Sequence, residues 1–208
     1  MRIVKDYGER KREILAIAQK LFLQKGYDKC SVNDILKEIG IAKGTFYYYF
    51  SSKEEVLDAI IEQLVIKVRL RVERIVEQPF ESSLEKLLAV AMAMRVKNQL
   101  EEGLLDELHR PDNALMHQKS LVALEEAMLP FFVGVIEEGI QSGVFQCAFP
   151  EEYMRIFLTS AFVLLDDGFF KFEQEEQQKL FRGLISILAK MLEIDEEKAW
   201  EMIMKHWQ

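Results

Sequence analysis

The side chains best suited to chemistry lie in one stretch, residues 31–53, SVNDILKEIGIAKGTFYYYFSSK. Lys43, Gly44, Thr45, Tyr47, Tyr48 and Tyr49 are small or polar-tipped, and all fall within one short helical pattern. Phe46 and Phe50 are spaced i and i+4, so they share a face. With that face buried, Thr45, Tyr48 and Tyr49 point outward, and Tyr47 partly so. Tyrosine hydroxyls bond phosphate oxygens, and their rings pack on sugars or thymine methyls. Gly44 lets a backbone come close to the start of the helix, where the peptide dipoles favour a phosphate. Lys53 adds a cation. This is recognition chemistry, directed at a polyanion. The alternative is that the tyrosines fill a core, but one short helix cannot bury all of its faces. Exposed, three consecutive tyrosines burden solubility unless they meet a partner.

Charge supports this choice. The whole chain of 208 residues carries −8, which taken alone argues against nucleic acid. Residues 1–53, however, hold 11 Lys and Arg against 6 Asp and Glu, net +5, while residues 54–208 hold 16 against 29, net −13. A basic head on an acidic body implies one module facing a polyanion and another with a different task. No constellation for catalysis is visible: there is no GxSxG, P-loop or GxGxxG. His109, His117 and His206 have no metal-ligand spacing with Cys30 or Cys147, so no metal and no cofactor is expected. Two cysteines make no disulfide framework, and MRIVKDYGERKREIL lacks a signal-peptide pattern, so the chain reads as cytoplasmic. The longest run without a charged residue, Gly139 to Pro150, is 12 residues, too short for a membrane span.

The elements that must position residues 43–53 are helical. Ile14, Ala18, Leu21 and Phe22 repeat with the α-helical period, and Gly26 stops that helix. Ser31-x-x-Asp34 fits a capping box for a second helix with the stripe Ile35, Leu36 and Ile39. Gly40 ends it, and Lys43 to Tyr49 form a third. Ser52-x-x-Glu55 caps a fourth, whose stripe Val56, Ile60, Leu64 or Val65, Val68 and Val72 stops before Pro79. The body follows with segments near 81–101, 104–109, 114–141, 150–170 and 174–192, then Asp195 to Trp207. Pro111 and Pro150 mark boundaries, and Pro130 kinks or starts a helix. The expected fold is all-α, with about nine or ten helices and no strand of useful length.

Two short helices joined at Gly40 have the spacing of a helix-turn-helix, whose second helix enters a major groove. Tyr27 through Leu57, with Gly26 before them, resemble the DNA-binding signature of TetR-type (tetracycline-repressor-like) bacterial regulators. The likeness is dense over residues 9–57, and GTFYYYFSSKEEVL is its most specific part. EEGIQSGVF at 137–145 is similar to a loop closing a long helix in many members. The resemblance implies a three-helix DNA-binding head at 1–53, a connecting helix at about 52–77, and an effector-binding, dimerising body over 54–208. It places Ser31 and Val32 at the start of the support helix. Lys43, Gly44, Thr45, Tyr47 and Tyr48 take base- or phosphate-reading positions, and Tyr49 and Lys53 take phosphate-contacting ones. Cys30 stands where Thr is more usual.

The same resemblance implies a homodimer paired through 150–170 and 174–192, an inverted-repeat operator in double-stranded DNA, and release by a small-molecule effector. Repression is favoured over activation. Of 14 Phe residues, 11 lie between 80 and 181, enough to line an apolar pocket, although filling the core and dimer interface accounts for most of them. Arg95, His109, Arg110, Phe131, Phe162 and Asp166 are the candidate effector residues. Asp166-Asp167 reads either as a site for a cationic ligand or as a solvated helix end. Trp200, Ile203, Met204 and Trp207 make one face that docks on the body, extends a dimer interface or lies on a membrane; four acidic residues in Asp195 to Trp207 argue against the last. The competing function is a helical ligand-binding protein or enzyme whose basic head is incidental. A salt titration on random duplex DNA separates the two. The nucleic-acid reading predicts binding whose log affinity falls linearly with log salt, and absence of binding at low salt contradicts it.

Overall fold

The computed structural model describes residues 6–94 and 107–207, with side chains to Met204. Among the described residues all regular structure is helical, as nine α-helices and one 3-10 turn. The head helices are α1 (Tyr7–Lys25), α2 (Val32–Ile39) and α3 (Lys43–Tyr49), followed by α4 (Lys53–Val76) and α5 (Ser83–Ala93). A 3-10 turn, Pro111–Asn113, leads into α6 (Ala114–Gln141). α7 (Pro150–Leu164), α8 (Gln174–Met191) and α9 (Glu196–Trp207) complete the chain. No helix among the described residues is long and apolar enough to cross a membrane.

The expected stops act as read. Gly26 ends α1 with φ +90°, and Gly40 ends α2 with φ +74°, both in the region that suits glycine. Ser31 and Asp34 close a full capping box on α2: the Asp34 amide donates to Ser31 Oγ at 3.2 Å and the Ser31 amide to Asp34 Oδ2 at 2.9 Å. Ser52 Oγ accepts from the Glu55 amide at 3.0 Å, but the Glu55 carboxylate reaches back one residue further, to the Ser51 amide and hydroxyl.

The packing forms two compact units. Among the described residues the first holds 6–65 and 107–123, and the second 66–94 and 124–207. The expected boundary between residues 53 and 54 is therefore corrected. Val56, Leu57, Ile60 and Ile61 of α4 are buried in the first unit's core with Ile14, Phe22, Ile35 and Phe46, and so is Met116 of α6. The periodic stripe missed Leu57 and Ile61, which widen the buried face of α4. The second core gathers Val68 and Val72 of α4 with Leu87, Met128, Phe132, Met154 and Leu188.

Several helix limits also differ from the pattern. The segment 150–170 ends as helix at Leu164, because Asp166 Oδ1 accepts the Gly168 amide at 2.8 Å and turns the chain. The segment 81–101 is helical from Ser83 to Ala93, with Ser82 as its cap; residues 95–106, which include the first half of the expected 104–109 helix, lie outside the described residues, and of the second half 107–108 are helical. Pro130 sits inside α6 and neither starts nor ends it. α9 docks on the second unit through Ala199 and Ile203, both buried, with Trp200 under the Arg182 guanidinium at 4.9 Å. Met204 is exposed, so it leaves the expected apolar face, and the Trp207 side chain lies outside the described set.

The capping box yields a pH prediction. Ser31's hydroxyl foremost, then Lys25 and the Ser31 amide, hold the Asp34 carboxyl well below the usual carboxylate range. A depressed folded pKa stabilises only while the group is ionised: the contribution is complete above the unfolded value near about 4 and is lost as pH falls through the folded value. Asp34→Asn should therefore melt below wild type by a constant margin from neutral pH to about pH 5, a margin that shrinks below about pH 4. Thermal melts across that range check it, and a margin unchanged down to pH 2 contradicts it.

Candidate nucleic-acid interface

α3 is short, and its position comes from its anchors. Phe46 and Phe50 are 0% and 1% exposed and fix one face of the helix in the first unit's core. The turn before it is closed by the Gly40 and Ile41 amides, which both donate to the Leu36 carbonyl, at 2.9 and 3.2 Å. Ala42 stands at the N-cap and offers no side-chain acceptor to the first turn of α3. The Thr45 amide returns to the Ala42 carbonyl at 2.9 Å, while no intrahelical carbonyl serves the Lys43 and Gly44 amides. The helix therefore begins with unfilled donor capacity.

The outward face differs in detail from the sequence expectation. Tyr48 is 72% and Tyr47 46% exposed, whereas Thr45 and Tyr49 are half-buried. Tyr47 is thus more open than its spacing indicated. Tyr49 is covered by a residue the sequence pattern did not single out: Tyr7, at the first position of α1, lies tilted against Tyr49 at 4.8 Å between ring centres and meets Tyr48 edge-on at 5.8 Å. Tyr7 is itself 50% exposed and extends the aromatic surface. No local pattern in the sequence ties Tyr7 to residues 48 and 49; only the packing of α1 does so. Lys43 Nζ lies 5.8 Å from the centre of the Tyr47 ring, which adds a cation to the same surface.

Gly44 is exposed, and a Cβ built on it meets nothing within 4 Å. Nothing within the described protein requires glycine there, although glycine weakens a helix by up to about 1 kcal/mol. A residue that costs the fold and is not needed by it fits close approach by an outside partner. Ser31 is exposed and Val32 half-buried at the start of α2. Lys53 behaves differently from a surface cation. Its ammonium donates to the Tyr27 carbonyl at 2.7 Å and the Cys30 carbonyl at 3.0 Å, and sits 4.0 Å above the Tyr27 ring. Lys53 ties the start of α4 to the corner between α1 and α2. Cys30 is 1% exposed, and burial pushes its thiol pKa up, so it serves as packing.

The candidate effector residues fall into both units. His109 and Arg110 belong to the first; the His109 ring lies 4.9 Å from that of the buried His117. The Arg110 guanidinium pairs with Glu107 at 2.7 Å and donates to the Gln24 carbonyl at 3.3 Å. Phe131 and Phe162 belong to the second unit and pack, partly buried, against its core. Asp166, in the same unit, forms the turn that ends α7. Arg95 lies outside the described residues.

A tyrosine-faced helix after a tight turn, fixed on a small core that α1, α2 and the start of α4 complete, defines a helix-turn-helix DNA-binding head. Residues 14–60 match the family model described as bacterial regulatory proteins, tetR family, and residues 84–182 match the tetracyclin repressor-like C-terminal domain. The chain belongs to the tetR family of bacterial transcriptional regulators. It is similar to an uncharacterized HTH-type transcriptional regulator of Bacillus subtilis (strain 168), YhgD, at 28% identity over 159 residues, which span 76% of this chain and 79% of the relative. The fold resembles that of a TetR/AcrR-family regulator from Thermobifida fusca YX-ER1, with a TM-score of 0.59, 24% identity, and 85% and 96% of the two chains covered. It also resembles RolR crystallised with resorcinol, with a TM-score of 0.65, 17% identity, and 94% and 93% covered. The chain is accordingly a regulator and not an enzyme, and the reading of an incidental basic head is set aside.

Gly44 and Tyr48 share a loss of DNA binding on mutation but differ in its effect on stability. Gly44→Ala should raise thermal stability, by up to about 1 kcal/mol, while weakening DNA binding. Tyr48→Ala should leave the melting temperature within about a degree, as expected for an exposed position, and weaken DNA binding tenfold or more. Differential scanning fluorimetry beside a gel-shift titration checks both; wild-type DNA affinity in both variants contradicts the assignment of this surface.

Proposed function

We propose that the protein is a repressor that binds an inverted-repeat operator in double-stranded DNA as a homodimer and leaves it when a small-molecule effector binds. The observation that carries this reading is α3 itself: exposed Tyr47 and Tyr48 beside Lys43 and a glycine the fold does not need. Thr45, Tyr47 and Tyr48 are assigned to base edges and the sugar–phosphate backbone. The Lys43 side chain and the first amides of α3 are assigned to phosphates. Tyr49, half-buried against Tyr7, is assigned to a phosphate at the edge of this surface. Lys53, held by two carbonyls, is assigned to the corner of the head ahead of any phosphate.

A dimer is supported by what α7 and α8 leave in water. The two helices pack on each other, yet Ile156 of α7 is 58% and Ile187 of α8 47% exposed. Gly183, four residues before Ile187, faces open space and would admit a closely approaching helix. Pairing α7 and α8 with their copies would cover these side chains, and the reading requires the two α3 helices of the dimer to meet successive major grooves, about 34–36 Å apart. The effector is assigned to the second unit, where Phe131 and Phe162 offer aromatic wall. It acts by preferring a spacing of the heads that the grooves do not match. It is the one small molecule this reading calls for, with no cofactor, and the site of action is the cytoplasm, where operator DNA lies.

Footprinting on DNA immediately upstream of the protein's own coding region tests the operator. A protected inverted repeat is expected, and protection of a single unrepeated half-site overturns the dimeric reading. Ile187→Arg should shift the full chain from dimer to monomer in light scattering at micromolar concentration and lower operator affinity at least tenfold. A dimer that persists in that variant contradicts the assigned interface.

A further inference from the structure

The corner between α1 and α2 is held by residues far away in the sequence. Asn113, fully buried, accepts the Tyr27 amide on Oδ1 at 2.7 Å and donates from Nδ2 to the Glu107 carbonyl at 2.8 Å. Asp112 adds its carbonyl as acceptor for the Asp28 amide at 3.1 Å and its carboxylate for Lys29 at 2.6 Å. A Cβ on Gly26 would collide with the Asp112 side chain, so the glycine that ends α1 also makes room for this strap. Further along, Lys119 reaches Glu54 and Asp58 of α4, each at 2.8 Å. All these groups belong to the first unit.

The side-chain type at 113 is specified by its neighbours. One needs an acceptor and the other a donor, and a primary amide supplies both in one planar group. Aspartate would set a carboxylate against the Glu107 carbonyl, and leucine would strand the buried Tyr27 amide and remove the donor to the part-buried Glu107 carbonyl. The Lys29–Asp112 pair is exposed and screened, so it contributes less than the buried amide. The consequence runs along the backbone. Tyr27 has its amide tied to Asn113 and its carbonyl to Lys53; Cys30 has its carbonyl tied to Lys53; Ser31 then caps α2. α2 thus starts from a point fixed by two separate elements, and α3 is set on α2 through the Gly40 turn.

We propose that Asn113 is a positioning residue for operator reading: the strap of residues 107–119 fixes the corner that sets the register of α3 on DNA, so specificity depends on a segment that never touches the duplex. The proposal rests on α3 being the recognition helix. Non-specific attraction to phosphates needs only the charge of the head, whereas base readout needs α3 held to within a fraction of an ångström. Loss of the strap should therefore lower specific binding and spare random binding.

The test uses the full chain, with two probes at one salt concentration: the duplex that the wild type enriches from a random pool, and a random duplex. Asn113→Leu is expected to speed amide exchange at Tyr27 and Asp28 at least tenfold, to weaken the selected duplex tenfold or more, and to leave the random duplex within twofold. Faster exchange with an unchanged ratio of the two affinities overturns the proposal, as does unchanged exchange. Should Asn113→Leu fail to fold, Asp112→Ala, which removes only surface pairs, carries the same readouts with an expected threefold loss of the ratio; an unchanged ratio overturns the proposal. Tyr48→Ala is measured alongside. If it loses the selected duplex while the strap variants keep their ratio, the positioning role fails alone; if it binds as wild type, the recognition-helix reading fails and the proposal with it.

Discussion

Two phenylalanines bear the largest structural demand in the head. An isolated helix as short as α3 is not stable in water, because its first turn fixes several residues for one hydrogen bond. Phe46 and Phe50, almost fully buried, supply what the helix lacks. Truncating either to alanine is expected to cost about 3–5 kcal/mol, a large share of a domain's net stability. By fixing one face they fix the other: Tyr47 and Tyr48 must then point away from the core. The exposed aromatic surface follows from the anchoring of its opposite side, and the DNA-reading assignment depends on that geometry.

Much of this was legible because it rests on local chemistry. The i, i+4 spacing of Phe46 and Phe50 indicated the buried face. Gly26 and Gly40 marked real stops, and Ser31 with Asp34 marked a real cap. The signals that failed depend on contacts between distant residues. Tyr49 reads outward on a helical wheel, but Tyr7 of α1 lies over it. Lys53 reads as a surface cation, but two carbonyls from the corner claim its ammonium. Asp166 lies in a run whose apolar pattern continues helically, and its own carboxylate ends the helix by taking the Gly168 amide.

The domain boundary illustrates the same limit. Composition changes sign near Lys53, and the charge split is real. Packing ignores it: α4 gives its first turns to the head core, and residues 107–123 join that core from beyond α5. HRPDNAL reads locally as a helix start, which it is; that Asn113 would be fully buried against Tyr27 is information held only by the fold. The helix-turn-helix head is consequently not a contiguous N-terminal module but one completed by a returning strap.

The central claim is that the phenols of α3 form the DNA surface, and nitration of tyrosines in the full chain addresses it directly. Mass spectrometry after tetranitromethane treatment reads each phenol with and without the duplex enriched from a random pool. Free protein should be modified at the open Tyr47 and Tyr48 and spared at Tyr27, which is 6% exposed. Bound protein should lose modification at Tyr47 and Tyr48 by tenfold or more, while the reference Tyr153 of α7, half-buried in the second unit, keeps its level. Equal nitration of Tyr47 and Tyr48 in the free and bound states would contradict the account.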